Sequence, residues 1–428
     1  MRRSSPILAT LGLLALLLGA VLVQRACQAP RLPHAETAEA GPGPTVLMIS
    51  IDGFRADYLD RYEAPTLARL AREGVRAEAL IPAFPTKTFP NHYTLVTGLY
   101  PSHHGIVANT MYDPVFDAGF SLGDREAVRD ARWWEGEPLW VTAERQGRRT
   151  APYFWPGSEA AIQGVRPTYW KVFDDRVPGA QRVDDVLGWL ALPAEERPAF
   201  LTLYFSDVDH AGHDYGPDAP ETAAAVRRVD GYLARLVDGL AARGLLDAIN
   251  LIVVSDHGMA ATAPDRAVFL DDYIDLDDVR VVDWSPVAAL IPAPGRLEAV
   301  VEGLRAAPHL AVYPAGERPV HWHHEGHRRI PPVLAVAEPG WVITTRASFE
   351  RDPQRFSGGT HGYDNHTPSM QALFVARGPA FAQGLRAGPF ENVHVYNLAA
   401  AILGLEPAPN DGDLDAVRHL LRPAAVPR

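Results

Sequence analysis

From Thr45 onward, apolar residues come in short unbroken runs that close on turn-forming or charged residues. Val46-Leu47-Met48-Ile49-Ser50-Ile51 closes at Asp52-Gly53, and Asn250-Leu251-Ile252-Val253-Val254-Ser255 closes at Asp256-His257-Gly258. Between them, Phe200-Leu201-Thr202-Leu203-Tyr204-Phe205 leads into the segment from Asp207 to His213. Runs of this length predict strands buried on both faces of a parallel sheet. Elsewhere the period changes. Thr66 to Glu73 predicts a short helix ended by Gly74. Val226, Val229, Leu233, Leu236 and Leu240 recur at three and four and predict an amphipathic helix closed near Gly244. Strands alternating with helices predict an α/β fold, with a mostly parallel central sheet flanked by helices.

The N-terminus follows a different rule. Arg2 and Arg3 precede an uncharged Leu/Ala/Gly-rich stretch from Ile7 to Val23, the charge and apolar order of an export signal. Its length lies near the lower limit for a membrane span, so a cleaved signal and a retained anchor both fit. Ala38-Glu39-Ala40 offers a small-residue cleavage pattern, whereas Gln24 and Arg25 suit lipidation of Cys27 poorly. The predicted organisation is a signal peptide or anchor over residues 1–27, a linker over 28–43, one catalytic domain over 44–421 and a tail over 422–428. Export predicts a periplasmic or extracellular protein. The 428 residues contain one cysteine, so no intrachain disulfide framework exists. A formal net charge of -12 excludes a general binder of long nucleic acids, which needs a basic face. It does not exclude small anionic substrates, because bound cations invert the local field.

Three predicted strands end in metal-capable residues. In open α/β sheets ligands bind beyond the carboxyl ends of the strands, so such residues would meet along one edge. Asp209 and His213 are spaced i, i+4, Asp256 and His257 are adjacent, and His361 stands among glycines in Gly358-Gly359-Thr360-His361-Gly362. With Asp52 they make an imidazole and carboxylate set that suits zinc. Taken singly, each has a plainer account as a cap or a turn residue; their joint placement at strand ends favours ligation. Pro90 sits where a first helical turn begins, and Asn91 to Thr97 continue it, so Thr88 falls at or beside an N-cap. Alone, that hydroxyl is a cap. Beside a metal ion it becomes a nucleophile. The tract His321-Trp322-His323-His324-Glu325-Gly326-His327 reads as a solvated surface segment. His92, His103, His210 and His366 read as positioning backbone, and Lys87 as a loop lysine or an electrostatic aid to Thr88.

Phe84 to Asn109, running through Gly98-Leu99-Tyr100-Pro101 and Gly105-Ile106-Val107-Ala108-Asn109, is similar to the nucleophile segment of a known family. Trp133-Trp134-Glu135-Gly136-Glu137-Pro138, Trp155-Pro156-Gly157-Ser158, Asp209 to Pro217 and Ser255-Asp256-His257-Gly258-Met259 extend the likeness. It continues in His361-Gly362-Tyr363-Asp364-Asn365 and in Glu391-Asn392-Val393-His394-Val395-Tyr396-Asn397-Leu398. From about residue 45 to about 421 the chain resembles the nucleotide pyrophosphatase/phosphodiesterases of the alkaline phosphatase superfamily. The resemblance implies two zinc ions, one held by Asp209, His213 and His361, the other by Asp52, Asp256, His257 and the Thr88 oxygen. It implies Thr88 as nucleophile, Asn109 as donor to a phosphate oxygen, and a nucleobase slot lined by Phe89, Tyr204 and Phe173. Phe173 stands where many members have tyrosine. Small nucleotides are the implied substrates, with no protein partner; choline-type or lysophospholipid diesters are the alternative. A sulfatase reading fails, since the one cysteine lies in the targeting segment. Insertions around residues 110–195 and 265–355 are expected to form a cap beside the site.

Overall fold

The computed structural model describes residues 43–423. The export segment, Cys27 and nearly all of the expected linker lie outside the described residues, as do the last residues of the tail. Among the described residues no helix is long and apolar enough to cross a membrane.

The chain first lays down β1 (Thr45–Ile51), β2 (Val75–Ala77), β3 (Thr150–Tyr153), β4 (Phe200–Phe205) and β5 (Ile249–Val254). It then leaves for a four-stranded antiparallel sheet made of β6 (Val279–Asp283), β7 (Val287–Pro292), β8 (Leu310–Pro314) and β9 (Val333–Ala337). It returns as β10 (Phe374–Arg377) and β11 (Leu385–Ala387). The central sheet has seven strands in the order β11-β2-β10-β5-β1-β4-β3, and only β10 runs against its neighbours. The three predicted strands are therefore its adjacent central members.

Alternation along β1 fills two cores. Val46 and Met48 point to the face covered by α2 (Thr88–Thr97) and α7 (His394–Leu403). Leu47, Ile49 and Ile51 point to the face covered by α1 (Pro65–Glu73), α3 (Gly179–Leu190) and α5 (Pro220–Ala242). All five periodic residues of α5 are buried, as their spacing predicts. The smaller sheet builds its own core against α6 (Leu297–Arg305).

Two expectations need correction. Residues 110–195 are not one cap insertion, because they supply edge strand β3 and covering helix α3 to the central layers. The histidine tract is only partly solvated: His323, Glu325 and Gly326 are exposed, but Trp322 and His324 are not. Trp322 stacks on Phe84 with ring centroids 3.8 Å apart, both buried, and His324 packs edge-on against the same Phe84. The polar letters of 321–327 conceal a seam in which the smaller sheet, through Val287, Leu334 and Val336, closes over the loop leading to Thr88.

Candidate active site

Pairing of β1 with β4 and β5 sets Ile51 opposite Phe205 and Ser50 opposite Val254. Asp52, α4 (Asp207–Tyr215) and Asp256 therefore leave the sheet at one level, beyond its carboxyl edge. Gly53 turns at φ 68°, and a Cβ there would lie 2.9 Å from the Asp209 Cα. Only glycine lets the end of β1 approach α4 so closely.

The predicted ligands converge. Asp52, Asp256 and His257 form one group and Asp209, His257 and His361 another, with the donor atoms of each group within 4.8 Å of one another. His213 Nε2 lies 3.4 Å from Asp209 Oδ1, and His361 Nε2 lies 3.8 Å from the same oxygen. His257 Nε2 lies 3.0 Å from Asp256 Oδ2 and 3.4 Å from Asp52 Oδ1. Its ring stacks on His361 at 3.5 Å, so His257 stands between the two groups.

The hydrogen bonding fits metal ions. Nδ1 of His213, His257 and His361 lies 2.8, 2.9 and 2.8 Å from the carbonyl oxygens of Gly359, Gly258 and Thr86. A carbonyl only accepts, so each Nδ1 carries a proton and Nε2 is the nitrogen each ring turns toward the carboxylates. Burial opposes charge on His257, yet the Asp256 carboxylate raises its pKa above the ordinary value. Asp52 Oδ1, Asp209 Oδ1 and Asp256 Oδ2 are buried and accept no hydrogen bond. Burial, and then the charges of Asp256 and Asp209, push the Asp52 carboxyl well above its ordinary pKa. Burial, and then His257 and His213, hold His361 well below its own, hence neutral. Crowded buried carboxylates with oxygens that accept no hydrogen bond, ringed by inward-facing imidazole Nε2 atoms, call for cations between them.

Thr88 is the first residue of α2, next to its N-cap Lys87, and its Oγ1 lies 3.3 Å from His257 Nε2. Asn109 accepts from the Phe89 N–H through Oδ1 at 2.9 Å, leaving its amide nitrogen free of that bond. Beside Thr88 a cavity of about 260 Å³ is lined by Phe89, Phe154, Trp155, Phe173, Tyr204, Arg125, Glu159 and Asp209 among others. All three predicted slot aromatics border it, Phe173 being 38% exposed. Tyr204 has a second engagement: its hydroxyl donates to Asp52 Oδ2 at 2.6 Å.

The fold adds partners that the sequence could not give. Trp155 lies within a family motif, yet only the fold shows it against the cavity, its indole N–H donating to the His92 carbonyl at 2.8 Å. His92 bonds the Thr88 carbonyl at 2.9 Å and Ser50 at 2.8 Å, so it braces the start of α2, a backbone-positioning part as expected. Lys87 lies in the loop before α2, as expected, but it is buried and pairs with Asp283 on β6. Arg125 and Glu159 carry no periodic or spacing signal that would have placed them at the cavity.

A family model described as type I phosphodiesterase / nucleotide pyrophosphatase matches residues 46–364. Human ectonucleotide pyrophosphatase/phosphodiesterase family member 1 is 40% identical over 400 residues, covering 90% of this chain and 43% of that protein. An uncharacterised pyrophosphatase/phosphodiesterase of Schizosaccharomyces pombe is 39% identical, with 88% of this chain and 80% of that protein aligned. The chain thus spans less than half the length of the human relative. Among solved structures, murine ectonucleotide pyrophosphatase/phosphodiesterase 5 superposes with a TM-score of 0.84 at 36% identity, over 88% of this chain and 100% of that one. An inactive variant of the same murine protein in complex with AMP gives the same TM-score over 89% of this chain.

Proposed function

The chain belongs to the type I phosphodiesterase / nucleotide pyrophosphatase family, and from that premise we propose that it hydrolyses nucleotide phosphodiester and pyrophosphate bonds through Thr88. Nucleoside triphosphates would give the monophosphate and pyrophosphate, and dinucleotides would be cleaved likewise. The observation that carries this reading is the approach of Thr88 Oγ1 to His257 amid carboxylate oxygens that no donor satisfies.

Asp209, His213 and His361 would hold one divalent ion and Asp52, Asp256 and His257 a second, zinc by the donor set; when bound, such ions lower the pKa of a nearby hydroxyl and offset phosphate charge. The chain's own part is positioning. Thr88 Oγ1, at the N-terminus of α2 where the helix dipole favours an anion, gives up its proton to solvent, attacks phosphorus and expels the pyrophosphate or alcohol oxygen as the oxyanion. The nucleotidyl-threonine ester is then cleaved by water, which adds its hydroxyl to phosphorus and returns the proton to Thr88. Asn109, tethered by the Phe89 N–H, presents a neutral amide to a non-bridging oxygen. A neutral donor suits the single charge of a diester better than the dianion of a monoester, which a guanidinium would serve. Phe89, Phe173 and Tyr204 border the space we assign to the base, and the AMP complex of the murine relative supports a nucleotide as the ligand class.

The choline-type alternative asks for free carboxylates beside the aromatic faces. Glu159 is instead engaged by Arg125, Arg129 and the Phe173 N–H, and the Arg125 guanidinium lies 5.8 Å from the Phe173 ring. A cation at the slot disfavours a quaternary ammonium. The ectoenzyme names of relatives and the export-type N-terminus support secretion or surface anchoring.

Thr88→Ala tests the nucleophile. With metal content and folding retained, turnover of ATP and of a dinucleotide should fall by on the order of 10³-fold or more. Near-parental rates would refute the assignment. Faster turnover of glycerophosphocholine than of nucleotides by the parent enzyme would refute the substrate class.

A further inference from the structure

Arg329 lies on the strap between β8 and β9 of the smaller sheet, yet its side chain is fully buried against the main unit. Its guanidinium makes a directed set of bonds. Nε donates to Asp113 Oδ2 at 2.6 Å, and Nη1 donates to the carbonyls of Gly105 and Trp133, each at 2.7 Å. Nη2 donates to the Arg132 carbonyl at 3.2 Å. The guanidinium carbon lies 4.9 Å from the Trp133 ring centroid. Gly105, at φ 77°, leaves the room for this contact, since a Cβ there would fall 2.8 Å from Nη1.

Gly105 and Asp113 are the two ends of one arc of chain, and Asn109 stands midway between them. One planar fork therefore pins both ends of the segment that presents the amide. At its centre, Asn109 is tied to the nucleophile helix through the Phe89 N–H. We propose that Arg329 is a positioning residue for Asn109, setting where its amide meets the phosphate although Arg329 itself touches no substrate. This rests on the reading of Asn109 as the phosphate-contacting amide. A purely structural role would be to fasten the strap to the main unit, and that role would not depend on the side chain at position 109.

The test is a double-mutant cycle on the purified enzyme with a p-nitrophenyl nucleotide diester, comparing parent, Arg329→Met, Asn109→Ala and the double variant. In the parent background Arg329→Met should lower kcat/KM by about 30- to 100-fold, mostly in kcat, as expected for a displaced catalytic group. In the Asn109→Ala background the same change should cost less than about 3-fold. Equal losses in both backgrounds, or no loss in the parent, would overturn the proposal while leaving the role of Asn109 intact. Parental turnover by Asn109→Ala would instead remove the reading on which it rests. Should Arg329→Met not accumulate as folded protein, Asp113→Asn, which keeps the shape and removes the charge, enters the same cycle with the same outcomes.

Discussion

Charge is buried at two places in this molecule, and the two treat it in opposite ways. At the seam between the smaller sheet and the main unit, every buried charge meets its complement. Asp113 takes bonds from Arg328, Arg329 and the N–H groups of Val115 and Phe116, so although burial opposes it, its carboxyl is held well below the usual carboxylate range. At the carboxyl edge of the central sheet, Asp52, Asp209 and Asp256 lie close together and each keeps an oxygen without a donor. A charge satisfied by the protein holds structure together; charges left unsatisfied await a ligand from outside.

That contrast predicts opposite signs for one chemical change. Asp113→Asn removes the buried counter-charge of Arg329, which keeps only the partly exposed Glu135 at 3.2 Å, and should destabilise the protein by up to about 3–5 kcal/mol. Asp52→Asn, measured in the presence of chelator, removes one of several crowded carboxylates, so the metal-free variant should be at least as stable as the metal-free parent. Urea unfolding of both variants decides the matter. Equal destabilisation would mean that the edge carboxylates are structural after all.

The two places also differ in how much the chain betrays them. The sheet edge was readable because β1, β4 and β5 are uniform apolar runs, and parallel strands bring their ends to one level whatever lies between. The family motifs then singled out Thr88 and Asn109. The seam was not readable, because Arg, His and Asp in a short irregular stretch look solvated until a partner surface is known. Arg329 and Asp113 are far apart in sequence and follow no period. The ion pair of Lys87 was hidden for the same reason, its partner Asp283 lying on the smaller sheet. The return of β10 against the other strands likewise left no mark in periodicity, since a buried strand reads alike in either direction.

Tyr204 joins the two functions of the edge, its ring on the cavity and its hydroxyl on Asp52. Burial, and then the Asp52 charge, keep the phenol protonated and hence a donor. Tyr204→Phe retains the ring but frees Asp52 Oδ2. Metal affinity should fall by about 10- to 100-fold, the range for loss of a partner that orients a ligand. Chelator competition reads this directly, and KM for nucleotides should move little. Unchanged metal affinity would mean that Asp52 is oriented by the backbone alone.

Histidines sharpen the contrast with the smallest expected effect. Edge histidines turn Nε2 toward carboxylates, whereas His104 and His324 are enclosed by neutral or cationic neighbours. Burial lowers the pKa of each to about 3; Arg318 and His327 add to this at His324, and backbone bonds partly oppose it at His104. In the unfolded chain each titrates near 6.5. Between about pH 3 and 6.5 the unfolded state therefore binds more protons, so stability rises with pH by up to roughly 1.4 kcal/mol per pH unit for each histidine and levels off above that window. His324→Leu should flatten the slope by one such contribution, and the difference between variant and parent cancels the titration of the edge. Urea midpoints from pH 5 to 8 should thus differ most at the acid end and become parallel above about pH 7. Parallel behaviour at all pH values would mean that water reaches His324 and that the seam is less closed than its packing shows.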